Sequence, residues 1–187
     1  MELLQFVQII VFILGTIFIV LISKKSLHSI KHHGFYRFFV FEFTLVLVLL
    51  NIPHWFDYPL TLQQIVSWTL LFISILLIVQ SSYFFKKYGG SQRRKDSTSN
   101  FEFENTVSLI QERIFKYIRH PMYGSLLFLA LGAMLKNISV ITVSLTVVII
   151  IFIVFTAKIE EKENINFFGS DYEDYMKRTK MFVPFII

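Results

Sequence analysis

The chain has 187 residues, 55% of them apolar, with 22 Phe, no Cys and a formal net charge of +5. The missing cysteines exclude disulfides, thiol nucleophiles and cysteine metal sites. The length would suit one soluble domain, but the apolar residues are gathered into runs of membrane-spanning length, and the positive charge beside them favours anionic lipid headgroups and does not ask for nucleic acid.

The first run, Leu3 to Ile22, is interrupted only by Gln5, Gln8, Gly15 and Thr16. At 1.5 Å per residue in a helix it reaches across the ~30 Å hydrocarbon core. The Lys24-Lys25 pair follows this run instead of preceding it, so the segment is expected to be retained as a span and not cleaved as a signal peptide. The next connection carries His28, His32 and His33, which invite a metal reading. No carboxylate accompanies them at ligand spacing, and a basic loop explains them, so no metal is expected.

Phe38 to Ile52 forms a second span with Glu42 inside it. An unpaired charge there costs ~2.5 kcal/mol or more, which predicts a neutral carboxyl or a pairing with Arg37, in a structural role. After His54-Trp55, an interfacial anchor, comes a third span, Ile65 to Phe85. Gly89 to Asn100 is polar, glycine- and serine-rich, and reads as a linker. Phe101-Glu102-Phe103-Glu104 alternates like a strand, whereas Phe103, Val107, Ile110, Ile114 and Ile118 recur at helical spacing. The favoured expectation is an amphipathic interfacial helix.

Tyr123 to Leu135 is a short fourth apolar segment, which must draw length from its flanks, thin the bilayer or re-enter. Ile138 to Ala157 is the fifth. Glu160, Glu161 and Glu163 carry that helix out of the membrane, Gly169 punctuates it, and Ser170 to Lys180 is expected to form a short interfacial helix with Asp171 near its positive end. Pro184 ends regular structure, with Phe182 docking on the protein body or the membrane. The expected fold is therefore all-α, polytopic, with about five transmembrane helices, the last two a hairpin. Residues 1–88 supply three spans, 89–118 a cytoplasmic linker and interfacial segment, and 119–187 the hairpin and tail.

With five spans, seventeen of the 18 Lys and Arg residues fall on one face, and Lys136 alone on the other. The positive-inside rule makes the basic face cytoplasmic, with the N-terminus outside and the C-terminus inside. At that cytoplasmic edge stand Arg119-His120-Pro121-Met122-Tyr123 and, about forty residues on, Glu160-Glu161 with Phe168-Gly169, Tyr172 and Tyr175. Ionisable residues beside hydrocarbon point to function. Each also has a plainer reading: His120-Pro121 as a helix start, Glu160 and Glu161 as a solvated helix end, the tyrosines as an interfacial belt.

These paired motifs, with Gly132 between them, resemble the isoprenylcysteine carboxyl methyltransferase family, part of a wider group of membrane methyltransferases that includes the phospholipid N-methyltransferases. The likeness covers about Gln111 to Pro184. His33-Gly34-Phe35-Tyr36-Arg37-Phe38-Phe39 also looks like the bacterial branch of that group. The resemblance implies S-adenosylmethionine bound at the cytoplasmic end of the last hairpin and a lipophilic substrate entering from the bilayer. Carboxyl O-methylation of an isoprenylcysteine-like compound is the implied reaction, with lipid-amine N-methylation as the alternative. A non-enzymatic transporter or accessory subunit, using Glu42 and the short helix to line a path, is the competing class.

A pocket for this zwitterionic, cationic cofactor wants donors, acceptors and an aromatic slot. Arg119, His120 and Tyr123 can donate, with Pro121 shaping the helix mouth. Glu160 or Glu161 can accept, and Phe168 or Tyr172 can stack. Adjacent helix positions point about 100° apart, so one carboxylate of the pair is expected to face the groove and the other away. The chain departs from the family pattern at Ser125, Asn164 and Met181, and its lead-in reads Gln111, Arg113 and Phe115. With Met181 standing where an arginine is usual, Arg178 or Lys180 becomes the substitute for a substrate-carboxylate contact.

Overall fold

The computed structural model describes residues 2–88 and 107–184. The linker Gly89 to Asn100 and the alternating Phe101 to Glu104 lie outside these residues. The described chain is all-helical: α1 (Glu2–Ser23), α2 (His33–Asn51), α3 (Leu62–Tyr88), α4 (Pro121–Met134), α5 (Val140–Phe168) and α6 (Ser170–Arg178). Four of these, α1, α2, α3 and α5, are long and apolar enough to cross a membrane, whereas α4 has 14 residues.

Local chemistry sets the helix ends. Pro121 opens α4, where its missing N–H removes no helical bond, and the residue before it, His120, is kept out of helical geometry at φ −120° and ψ 62°. Ser139 and Thr142 form a reciprocal cap at the start of α5. Gly169, at φ 62° and ψ −138°, ends α5 in a conformation that side chains resist and lets α6 begin at the next residue.

The short helix does not stand alone. It runs antiparallel along α3, with Gln63 Nε2 donating to the Leu135 carbonyl at 2.6 Å, Ser67 Oγ to the Gly132 carbonyl at 2.7 Å and Ser74 Oγ to the Ser125 carbonyl at 2.7 Å. A Cβ at Gly132 would lie 2.9 Å from Leu71 Cγ and 3.1 Å from the Ser67 carbonyl oxygen. Gly132→Ala is therefore expected to push the two helices apart and lower stability by about 1–3 kcal/mol, read from thermal unfolding in detergent. An unchanged melting temperature would show that this contact is slack.

Val40 and Leu47 of α2, Tyr123, Ala130 and Ala133 of α4, Ile149, Ile153 and Ala157 of α5, and Phe182 from the tail form the core. Phe39 and Phe43 pack on Phe152 at 5.2 and 5.6 Å between α2 and α5. α1 lies outermost and is pinned to α2 by Gln8 Nε2 donating to the Leu49 carbonyl at 2.8 Å and Thr16 Oγ1 to Glu42 Oε2 at 3.0 Å. Glu42 thus has a structural contact to α1. At the far end, Lys136 is buried against Gln64 Oε1 at 3.0 Å and the Trp68 ring at 3.7 Å.

Residues 107–118 correct the expected amphipathic helix. They hold only the 3₁₀ turn Arg113–Lys116, and Arg113 takes a φ of 57°. Ile110, Phe115 and Ile118 are buried within the protein and do not form an outward apolar stripe. The segment ends as an extended strip against the tail. Ile118 bridges in parallel to Lys180, Arg119 N–H donates to the Lys180 carbonyl at 2.8 Å and His120 N–H to the Met181 carbonyl at 3.0 Å. Helical spacing was misleading here because Pro121 disfavours helix before it and the tail offers backbone partners in its place.

Candidate active site

At the basic end of the bundle the extended strip delivers Arg119 and His120 to the mouth of α4, facing the polar last turns of α5. Arg119 Nε donates to Glu161 Oε1 at 2.7 Å, and both side chains are less than a tenth exposed. Its Nη1 donates to the carbonyls of Thr179 at 2.5 Å and Met176 at 3.2 Å, which holds the end of α6 in place. Tyr123 Oη donates to Glu160 Oε2 at 2.5 Å. Between these pairs stands His120, with Nδ1 3.9 Å from Glu160 and Nε2 3.5 Å from Glu161. Its ring is stacked on Tyr123 at 5.5 Å.

The two carboxylates differ in what they face: Glu160 lines both clefts beside this mouth and Glu161 neither. Both reach the α4 mouth, because Arg119 comes from the extended strip and Tyr123 from within the helix, so the two partners approach α5 from different directions. Their surroundings differ. Glu161 is buried and occupied by Arg119, whereas Glu160 keeps a quarter of its side chain exposed.

Glu160 opens onto two clefts that share Arg119, His120 and Phe85. The larger, about 630 Å³ counted to its open mouth, continues past Glu163, Asn164, Phe168, Tyr172 and Tyr175. The smaller passes Pro121, Met122 and Tyr123. In the larger cleft Phe168 and Tyr172 are stacked, with ring centroids 6.3 Å apart and planes 16° apart. Burial, then the charge of Glu160, pushes the Tyr172 phenol above its ordinary range, and Asn164 contacts its hydroxyl. Tyr172 therefore remains a neutral donor throughout the physiological range. Burial also raises Tyr175, whose hydroxyl donates to the Phe115 carbonyl at 2.6 Å.

The phospholipid methyltransferase family model matches residues 62–171, from the start of α3 into α6. That is more than half of the chain. The chain belongs to the phospholipid methyltransferase family. Comparison with curated proteins and with solved structures finds no match. Membership agrees with the wider membrane-methyltransferase resemblance of the sequence, and the matched region carries the first motif and the second as far as Gly169, ending before Tyr172 and Tyr175.

Of the residues singled out in the sequence, Arg119, His120, Pro121, Tyr123, Glu160, Glu161, Phe168 and Tyr172 are brought together. Arg178 is not: it is exposed on α6, where Nη2 donates to Gln111 Oε1 at 2.9 Å. Sequence reasoning missed Glu163 and Asn164, although they lie three and four positions after Glu160 and so share its helix face. It also missed His33. The fold supplies the carboxylate that the histidine loop lacked, since His32, His33 and Glu163 have ligand-capable atoms within 4.8 Å of one another. The geometry is one of hydrogen bonds. His33 Nδ1 lies 2.6 Å from Glu163 Oε2, the spacing of a short charge-assisted hydrogen bond, and the His33 backbone N–H donates to Glu163 Oε1 at 3.1 Å.

Proposed function

We propose that this protein transfers a methyl group from S-adenosylmethionine to a lipophilic amine, a lipid headgroup amine being the natural class, at the cytoplasmic face of the membrane. The observation that carries this reading is the position of Glu160, on the ridge where the two clefts meet. Bound S-adenosylmethionine would supply an electrophilic methyl carbon on a cationic sulfonium. The residues present suit it: the Phe168–Tyr172 pair offers an apolar slot for adenine, Asn164 and Tyr172 offer polar contacts to its ribose or base, and Glu160 is an acceptor for the methionyl ammonium or a counter-charge for the sulfonium. The smaller cleft, with apolar Pro121, Met122 and Phe85, suits the apolar part of the acceptor, whose amine would reach past Glu160 into the larger cleft. Transfer of this kind depends on alignment and exclusion of water more than on covalent help from the protein.

Charge favours an amine over a carboxylate. Glu160, Glu161 and Glu163 all stand at this end of α5, and a carboxyl acceptor would approach them against repulsion. The guanidinium that could receive it, Arg119, is bonded to Glu161 and to two carbonyls, and Arg178 lies outside the cleft. The transporter reading has less support, because Glu42 is tied to Thr16 of α1 and α4 is packed along α3. The basic residues at this end, Lys24, Lys25, Lys86, Lys87, Lys158 and Lys162, support a cytoplasmic location, where the cofactor is available.

The test is transfer of a labelled methyl group to a total lipid extract by the purified protein, with alkali treatment of the product. N-methyl label is expected to survive, whereas a methyl ester would release volatile methanol. Calorimetry with S-adenosylhomocysteine runs alongside it. Alkali-labile label would replace the amine by a carboxyl acceptor, and no binding at millimolar concentration would remove the methyltransferase reading for this chain.

A further inference from the structure

The buried pair His33–Glu163 is absorbed by none of the roles above, yet both residues line the larger cleft together with Glu160. His33 sits at the first turn of α2 and is 1% exposed, held to α5 by a partner 130 positions away. Glu163 meets it twice, at the ring nitrogen Nδ1 and at the backbone N–H. A carboxylate at 2.6 Å fixes the proton of a neutral imidazole on Nδ1, which makes Nε2 the basic nitrogen. It also stabilises the imidazolium that forms when Nε2 takes a second proton.

We propose that His33, oriented by Glu163, is the general base that deprotonates the acceptor amine. This rests on the amine-methylation reading above. A lipid ammonium has no lone pair to attack with, so one N–H bond must break first. The proton passes to His33 Nε2 and the bonding pair stays on nitrogen as the nucleophile. The new N–C bond then forms as the S–C bond of the donor breaks with its pair left on sulfur, and His33 returns its proton to water after product leaves. A carboxyl acceptor would need no such base, so a base role for the pair belongs to the amine reading alone.

Other titratable and charged groups face the same cleft: His32 beside His33 on the α2 end, Glu160 on α5, Arg119 and His120 at the α4 mouth, and Tyr172 and Tyr175 on α6. His120 is the rival base. It stands against Glu160 and Glu161 and not against Glu163.

The experiment measures kcat/KM for an amine lipid against pH in wild type, His33→Asn and Glu163→Gln, S-adenosylhomocysteine affinity by calorimetry, and histidine tautomers by ¹⁵N NMR on the cofactor-free protein in detergent. The expected results are an Nδ1–H tautomer for His33 that is weakened in Glu163→Gln, a loss of about 10²-fold or more in kcat/KM for His33→Asn near neutral pH, and unchanged cofactor affinity. The acidic limb of the profile is expected to move to lower pH in Glu163→Gln and to give way in His33→Asn to a steady rise with pH. A merely structural staple would lower all rates without moving the limb, and that result overturns the proposal. So does a limb that moves only when His120 is replaced. Loss of activity on chelation, restored by zinc, would overturn it in favour of a metal held by His32, His33 and Glu163. Failure of wild type to bind S-adenosylhomocysteine would sink this proposal and the reading beneath it together, whereas an unmoved limb with binding intact sinks this one alone.

Discussion

Glu161→Gln is expected to destabilise the detergent-solubilised protein by about 3–5 kcal/mol, because it leaves Arg119 buried without its charge partner. For a chain of this size that is a fall of roughly 6–20 °C in Tm. The effect should extend beyond the pair. Arg119 also holds the carbonyls of Met176 and Thr179, and the strip beside it holds Lys180 and Met181, so a displaced guanidinium frees the α6 end and the tail that carries Phe182 into the core. Replacing both partners with apolar residues of similar volume, Arg119→Met with Glu161→Leu, should recover most of the stability, since it removes the stranded charge. It should not recover methyl transfer, because the polar wall of the cleft is gone. If Glu161→Gln melts with wild type, the ion pair is solvated and the tail is anchored by its backbone bonds alone.

The helices that could be read from the sequence were those with the longest apolar runs: α1, α2, α3 and the first part of α5. The continuation of α5 to Phe168 and the start of α6 could also be read, from acids that continue a helix into water and from Gly169 as the break. The short α4 was legible as a segment and not as a packed one. What lets it sit in the bundle is a set of hydroxyl-to-carbonyl bonds from α3 and a close approach at Gly132, and nothing in local periodicity announces either. The segment ending at Ile118 carried a helical pattern that lost to β-like pairing with residues some sixty positions later. The pairing of His33 with Glu163 was invisible for the same reason. Ion pairs and hydrogen bonds between remote residues leave no spacing to find, whereas Arg119, His120, Glu160 and Glu161 stood out because charge beside hydrocarbon is costly wherever it lies.

Glu160→Gln is expected to lower methyl-transfer efficiency by about one to two orders of magnitude, the equivalent of about 1.5–3 kcal/mol for a charge-assisted contact, with little change in folding stability. The contrast with Glu161 follows from what each carboxylate already holds. Glu161 is committed to Arg119, while Glu160 has one oxygen on Tyr123 and a face open to both clefts. Tyr123→Phe is the companion variant, because it removes the hydroxyl that orients Glu160 and keeps the ring that fills the core. Alanine at that position would test packing instead, since Tyr123 is only 6% exposed and a member of the core cluster. Tyr123→Phe should lose several-fold in efficiency, by freeing the Glu160 carboxylate to rotate, and should add little to the loss already caused by Glu160→Gln, because both act through one contact. Fully additive losses would mean that the phenol touches substrate or cofactor in its own right. Near-native activity in Glu160→Gln would reduce this carboxylate to a solvated helix end.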